Sequence, residues 1–279
     1  MGVVPTVTAL RAHLLAAGLA GTVATTREQS LRRYRLFAAR DPRVLLGVGP
    51  DRDWSAGELL ALMAGRCGVC PDPAHVAGQD RIDPDLTVSA LDAFAERLRA
   101  AAGEGAPVLF GTGHPNRLLG FYSAMATALE AAGCPVLTPG QGRSVEVPTR
   151  FGASRHRLRY VNGVACVQRE GDRGPAQDGE ADVSGVHTHS PLPLRTALAA
   201  AVAEGGPLPE LVVGDHGWVC AAGRLGVESM GLADADDPAP FVGQAEGRVV
   251  VAVPVDDGVS AVHYGPLTRY VLNRARLSQ

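Results

Sequence analysis

Short apolar segments that alternate with helical segments most constrain the fold of this chain. Apolar runs occur at Val108–Gly111, Leu211–Gly214 and Val249–Val253, and each is too short for a helix of ordinary length. Segments of helical character, at Leu118–Ala132 and Pro191–Ala203, lie among them. Alternating strands and helices are typical of a parallel sheet covered on both faces. We therefore predict an α/β fold of three layers, Rossmann-like, with a mostly parallel sheet.

Further strands and a hairpin complete the predicted sheet. Pro135–Leu137 and Glu228–Ala233 are short apolar runs of the same kind. Asn162-Gly163, within the segment Val145–Gln168, is a dipeptide typical of a two-residue turn between antiparallel strands. The sequence thus predicts an inserted β-hairpin. The polar, glycine-rich stretch Glu170–Ser184 is predicted to be a loop.

The first part of the chain is predicted to be mostly helical. Ser55 and Glu58 have the spacing of a capping box, and Asp83-Pro84 begins the longest helical segment. We predict an N-terminal helical region over residues 1–103, which caps the site or packs on the sheet. Residues 104–279 are predicted to form a Rossmann-like catalytic domain.

Composition excludes several classes of function. The chain has 279 residues and a net charge of −3, which offers no basic surface for nucleic acid. All 26 basic residues other than histidine are Arg, so chemistry that needs a lysine, such as a Schiff base, is excluded. No apolar run is long enough to span a membrane, and no signal peptide is evident. We expect a cytoplasmic protein whose five cysteines are reduced; the oligomeric state stays open, with a homo-oligomer as one alternative.

The loop Gly111–Arg117 follows the first predicted strand of the catalytic domain and precedes a helix. Ligands bind outside the carboxyl ends of strands in open parallel sheets, and helix N-termini favour anions. The sequence predicts a phosphate cradle here. Its expected members are Thr112, Gly113, His114, Asn116 and Arg117. A plain turn with a helix cap is the alternative.

Two histidine-containing loops follow later. His187 and His189 can face the same way from an extended segment and bind phosphate or a shared metal, and Ser190 can cap a helix or contact an anion. Asp215 and His216 follow the strand Leu211–Gly214. Aspartate there can bind a metal, act as a base or serve as nucleophile, and histidine can transfer a proton. We predict Asp215, His216 and His189 as catalytic residues and His187 and Ser190 as phosphate ligands; a helix cap and a solvated loop are the alternatives.

Two acidic loops end the series. Asp234, Asp236 and Asp237 lie close together in sequence, where a hard divalent cation would offset their repulsion. With Asp215 they are the predicted ligands of Mg²⁺ or Mn²⁺. An acidic helix start is the alternative. Asp256-Asp257 is expected at the rim of the site.

The pair Cys67 and Cys70 has the CxxC spacing of half a zinc site, with His75 nearby. A structural zinc site needs a second pair of ligands, so we do not expect zinc there.

Several segments carry a resemblance to a known family. They are GTVATTREQSLRRYRLFAAR at Gly21–Arg40, GTGHPNRLLGFY at Gly111–Tyr122, HTHSPLPL at His187–Leu194, VGDHGWV at Val213–Val219 and LADADDP at Leu232–Pro238. Along nearly the whole chain, they resemble a family of actinobacterial proteins labelled phosphatases. The resemblance implies a phosphatase. The sheet segment is also similar in layout to sugar-phosphate-binding SIS-type domains, an analogy of fold alone.

Three functional hypotheses follow. The first is a phosphoric monoester hydrolase that acts on a small phosphorylated metabolite, such as a sugar or nucleoside phosphate, with help from a divalent metal. The second is a sugar-phosphate isomerase or lyase that uses the same phosphate cradle. The third is a non-catalytic protein that binds a phosphorylated metabolite.

Overall fold

The structure is a computed structural model, and it describes residues 3–149, 152–169 and 185–278. The strands of these residues are β1 (Gly21–Thr26), β2 (Gln79–Ile82), β3 (Val108–Gly111), β4 (Ser144–Thr149), β5 (Gly152–Val161), β6 (Val164–Arg169), β7 (Leu211–Asp215), β8 (Glu228–Ala233) and β9 (Val251–Pro254). The helices are α1 (Val7–Ala16), α2 (Arg27–Ala38), α3 (Pro42–Leu45), α4 (Ala56–Cys67), α5 (Pro84–Glu104), α6 (Pro115–Ala131), α7 (Leu192–Ala203), α8 (His216–Arg224), α9 (Pro238–Ala245) and α10 (Gly265–Arg274), with a 3-10 turn at Ala261–Tyr264.

The larger sheet has, in the described part of the chain, seven strands in the order β4-β5-β6-β3-β7-β8-β9. β6, β3, β7, β8 and β9 run parallel, and β4 and β5 are antiparallel additions at one edge. Successive residues of β3 enter different hydrophobic clusters, Val108 and Phe110 on one face and Leu109 on the other. Both faces are therefore covered, and the predicted three-layer α/β fold with a mostly parallel sheet is confirmed.

The predicted hairpin is confirmed and extends the main sheet. β5 and β6 pair antiparallel around Asn162-Gly163. Both turn residues have positive φ, 47° and 80°, as the tight turn between twisted strands requires. Because β6 also pairs with β3, the hairpin brings the chain back beside the centre of the sheet.

The N-terminal region contains helices as predicted, and also a small sheet that the sequence did not predict. The Ser55–Glu58 capping box begins α4, and α5 begins at Pro84. β1 and β2 pair antiparallel as a two-stranded sheet. Both strands are short and polar, and more than fifty residues separate them along the chain. A local pattern of side chains therefore does not predict them.

The helices of the N-terminal region pack on the main sheet. Leu14 of α1 and Phe94 of α5 belong to the same buried cluster as Phe110 of β3 and Val213 of β7. The core therefore runs continuously from the N-terminal helices into the sheet. The division into regions 1–103 and 104–279 stays a prediction.

The predicted strand Pro135–Leu137 is reduced to a single parallel bridge between Val136 and Val108. Proline has no N–H to donate, and the next residues of β3 pair with β6 instead. The predicted loop at Glu170–Ser184 lies outside the described residues.

Glycines at matching positions bring three central strands close together. Gly111, Gly214 and Gly231 are partners in register across β3, β7 and β8. A Cβ on Gly231 would lie 1.6 Å from the carbonyl oxygen of Gly214, and a Cβ on Gly111 would lie 2.2 Å from the ring of Trp218. Side chains at these positions would therefore separate the strands just where the polar loops begin.

We expect Gly231→Ala to destabilise the protein by more than about 4 kcal/mol, because backbone rather than a flexible side chain meets the added methyl group. Urea unfolding measures the change. Gly120→Ala is the matched control, since Gly120 is an exposed residue of α6 with open space around it. That change should stabilise by about 0.5–1 kcal/mol. Equal effects at both positions would contradict the close packing of the strands.

Candidate functional site

The site lies where the parallel strands end. His114 follows β3, Asp215 and His216 end β7 and begin α8, Asp237 follows β8, and Asp257 follows β9. The Nδ1 atom of His114 is 3.1 Å from Oδ2 of Asp215. His216 places its Nδ1 atom 2.8 Å from Oδ2 of Asp237 and its Nε2 atom 3.4 Å from Oδ2 of Asp257. The structure thus brings four strand-end loops together around two histidines.

Four histidines form the centre of this site. Nε2 of His216 is 2.8 Å from Nδ1 of His114, and Nε2 of His189 is 2.9 Å from Nε2 of His187. One nitrogen of each ring lies within 4.8 Å of the others. His216 is buried, whereas His187 is exposed, so the cluster runs from the sheet to the surface.

The environment keeps three of these rings neutral. Burial, followed by the neighbouring His114, lowers the pKa of His187 to about 4. Burial also lowers the pKa of His189, with Arg33 the next cause, and that of His216, with His189 the next cause. A neutral imidazole has a free nitrogen lone pair, which is the form that binds a metal ion.

Two buried aspartates face the histidines in different ways. Both oxygens of Asp215 lie 3.1 Å from the Gly113 N–H, which donates to this carboxylate. Oδ2 of Asp257 has no hydrogen-bond partner among the described residues, although the residue is buried. Burial, and then the charge of Asp215, raises the pKa of Asp257. A buried carboxylate oxygen without a donor is costly unless a cation satisfies it.

His216 is held in a strained conformation at the start of α8. Its φ is 46°, in the left-handed region that residues other than glycine rarely adopt. Such strain persists where the surroundings enforce it, often at functional sites. Here Asp237 accepts from the Nδ1 side of the ring and also pairs with the guanidinium of Arg33. The Nε2 lone pair is thereby directed toward His114.

Comparison with known proteins places the whole chain in a family. The family model described as Phosphatase matches residues 5–279. The chain belongs to the Phosphatase family. It is also 43% identical over 270 residues to a protein of Streptomyces coelicolor named as a phosphatase, a match that covers 96% of this chain and 95% of that relative. The family resemblance predicted from the sequence is therefore confirmed.

One expectation about this Phosphatase family member was wrong. Asp256-Asp257 was placed at the rim, but Asp257 is buried at the centre of the site. Asp256 instead accepts from the N–H groups of Ala24 and Gly258. β9 lies three strands away from β3 in the sheet. The spacing of residues along the chain therefore does not predict that Asp257, after β9, comes within 3.8 Å of His114, after β3.

Asp234 and Asp236, predicted as metal ligands, have partners in the N-terminal region. Thr25 donates to Asp234 at 2.5 Å, and Gln29 donates to Asp236 at 2.5 Å. Neither carboxylate belongs to a close group of ligand atoms among the described residues. Their role as ligands stays a prediction, whereas Asp257 lies 3.4 Å from His216.

The amides of the predicted phosphate cradle already have acceptors inside the protein. Thr112 N–H donates to the carbonyl of Ala165, Gly113 N–H to Asp215, and His114 N–H to Oγ1 of Thr112. The side chains of Asn116 and Arg117 lie at exposed positions of α6. Ser190 caps locally, since its Oγ accepts from Leu192 N–H. Contact of these residues with phosphate stays a prediction.

Close backbone packing holds the histidine segment against the first loop. Thr188 N–H donates to the carbonyl of Gly113 at 3.0 Å. A Cβ on Gly113 would lie 2.1 Å from the carbonyl oxygen of Thr188, so only glycine fits. The close approach at Gly113 therefore holds the segment that carries His187 and His189 against the first loop.

Arg33, Gln29 and Thr25 are site residues that sequence reasoning missed. They lie in β1 and α2 and reach the acidic loop after β8. One feature of the sequence could have indicated them. The helix α2 is rich in polar residues and lies within Gly21–Arg40, a segment that carries the family resemblance.

Two further expectations concern the rest of the chain. Cys67 and Cys70 belong to no close group of potential metal ligands in the described residues. Among those same residues, no helix has both the length and the apolar character needed to cross a membrane.

Proposed function

We propose that this chain hydrolyses the phosphomonoester of a small metabolite at the histidine–aspartate site, with a divalent metal ion bound there. The observation that carries the proposal is the convergence of four ligand atoms. They are Nδ1 of His114, Nε2 of His216 and the Oδ2 atoms of Asp215 and Asp257, and each nitrogen lies 2.8–3.8 Å from the other three atoms.

These residues fit a metal ion. Ligand atoms about 2.0–2.2 Å from a common ion are separated by roughly 3.0 Å in an octahedron and 3.4 Å in a tetrahedron. The measured separations bracket those values. The unpartnered oxygen of Asp257 gives the same indication, because a cation would supply its missing partner. A bound ion would polarise the phosphoryl group and lower the pKa of a water molecule.

The remaining residues orient this centre. Asp237 accepts from His216 and selects the tautomer whose Nε2 lone pair is free, as carboxylates do behind many metal-binding histidines. Arg33 neutralises the buried Asp237, and Gly113 N–H donates to the inner carboxylate of Asp215. With Nδ1 bonded to Asp237 and the Nε2 lone pair facing the other ligand atoms, His216 suits the role of ligand rather than of proton carrier.

A cavity lined by three arginines of the N-terminal region supports a small anionic substrate. It has a volume of about 500 Å³, within the usual range for metabolite pockets. Its lining residues are Glu28, Gln29, Arg32, Arg33, Leu36, Arg43 and Val44. Gln29 and Arg33 also contact Asp236 of the acidic loop, and Arg33 pairs with Asp237, which accepts from His216.

The direct test is a screen for phosphate release over phosphorylated sugars and nucleosides, with the purified full-length chain. We expect release from at least one small phosphomonoester, and a large loss in Asp215→Asn while circular dichroism stays unchanged. Turnover of a sugar phosphate without phosphate release would contradict the proposal in favour of an isomerase. Full activity in folded Asp215→Asn would remove Asp215 from the site.

Arg33→Ala is expected to lower kcat about 10- to 100-fold, the usual cost of losing a residue that orients a metal ligand. The change leaves Asp237 buried without its cation. Steady-state kinetics with and without added guanidinium measures the loss and its chemical rescue. Arg35→Ala is the matched control, because Arg35 is an exposed residue of the same helix. Equal kcat values for the two variants would argue against positioning by Arg33.

A further inference from the structure

A second pair of imidazoles lies directly over the first. The ring of His187 stacks on that of His114 with centroids 4.1 Å apart and planes 28° apart. The ring of His189 stacks on that of His216 at 3.8 Å and 17°. Within the second pair, the Nε2 atoms face each other at 2.9 Å, and the ring planes differ by 66°. The rings of His114 and His216 thus form an inner layer, and those of His187 and His189 form an outer layer stacked on it.

Stacked rings of this kind do not share one ion. An imidazole lone pair lies in the plane of its ring, and a metal–nitrogen bond is about 2.0–2.1 Å long. An ion midway between two nearly parallel rings would lie almost directly above each nitrogen, out of the plane of its lone pair. The layers of His114–His216 and His187–His189 therefore serve two different positions.

The distance between the layers matches a known arrangement in phosphate chemistry. Pairs of catalytic metal ions that clamp the attacking and leaving oxygens lie about 3.5–4 Å apart. The stacked rings have centroids 3.8 and 4.1 Å apart, so the two layers are spaced at about that distance. The Nε2 atoms of His187 and His189, which face each other at 2.9 Å, would be two ligand atoms of a second ion in the outer layer.

We propose that His187 and His189 bind a second divalent ion of the first transition series. This inference rests on the proposed metal-assisted hydrolysis and adds a site to it. Imidazole ligands favour such ions over Mg²⁺. His187 is exposed, so water and the phosphate oxygens of a substrate have access to the remaining coordination positions. His189 is then a metal ligand instead of a proton-transfer residue.

The backbone holds this pair in place without the ion. Thr188 lies between the two histidines, is buried, and is bonded to Gly113 through its N–H. Its Oγ1 accepts from Ser190 N–H at 3.1 Å, which closes the turn that follows. The two rings are therefore positioned by structure inside the protein rather than by chance at the surface.

The experiment uses Mn²⁺ alone with the full-length protein. Equilibrium dialysis at saturating Mn²⁺ should give two ions per chain, and electron paramagnetic resonance should show an exchange-coupled pair with reduced hyperfine spacing. His187→Ala should retain one ion per chain with the spectrum of an isolated ion. His189→Asn should do the same. His75→Ala, which removes an exposed imidazole elsewhere, should keep two coupled ions.

The outcomes separate this inference from the proposed function. One ion per chain in the wild type, or two ions without coupling, overturns the second site and leaves metal-assisted hydrolysis standing. Two coupled ions that persist in both His187→Ala and His189→Asn also overturn it. Two coupled ions without phosphate release from any phosphomonoester would support the second site while contradicting the proposed reaction.

Discussion

Asp257→Asn is expected to lower kcat/KM about 1,000-fold while the metal-free protein becomes no less stable. A metal ion contributes several kcal/mol of transition-state stabilisation, and about 1.4 kcal/mol corresponds to a tenfold change in rate. Burial and nearby carboxylates raise the pKa of Asp257, so its charge is costly when no cation is bound. The amide removes that cost together with the ligand. Kinetics and urea unfolding in chelator measure the two effects.

Asp234→Asn is the matched comparison. Asp234 is also buried, and its pKa is also raised, first by burial and then by the charge of Asp236. Its Oδ2 atom, however, accepts from Thr25 and faces no histidine at ligand distance among the described residues. We expect a much smaller loss of activity there. A larger loss of activity in Asp234→Asn than in Asp257→Asn would indicate that the metal ligands lie in the loop after β8 instead.

Removal of divalent cations is expected to reduce activity by about 1,000-fold or more, on the same energetic argument. Dialysis against EDTA, followed by addition of single metals, measures this. Mn²⁺ should restore activity better than Mg²⁺, because neutral imidazoles supply much of the ligand set and Mg²⁺ prefers oxygen ligands.

Two outcomes would contradict this expectation. Full activity after exhaustive chelation would show that the cluster works without a cation. Restoration by Mg²⁺ alone, with no response to Mn²⁺, would favour an all-oxygen site near Asp234 and Asp236 over the histidines. Circular dichroism before and after chelation controls for loss of structure.

These variants also connect stability to function. The buried Asp257 and the strained His216 each cost the metal-free protein free energy. Residues that serve a bound ligand often carry such a cost, and substitutions that relieve it stabilise the fold while activity is lost. We therefore expect substitutions of the site residues to raise the stability of the metal-free protein while they lower its activity.

Local patterns in the sequence determined the main features of the fold. Short apolar runs predicted β3, β7, β8 and β9, and the Asn162-Gly163 turn predicted the hairpin, because strand and turn preferences depend on neighbouring residues. The site was predicted at the strand ends because parallel strands all end on one edge. Pairing between distant parts of the chain decided two features that local patterns did not predict. It formed the small polar sheet of β1 and β2, and it reduced Pro135–Leu137 to a single bridge.

The sequence by itself determined which residues were available for chemistry and on which edge of the sheet they would lie. Only the tertiary structure decided which of them lie in contact. It placed Asp257 beside His216, directed Gly113 N–H to Asp215, and brought Arg33 from α2 to Asp237. It also stacked His187 and His189 on the other two rings. Distances of a few ångströms between side chains depend on sheet twist, glycine contacts and helix packing over the whole chain, and no local pattern of residues encodes them.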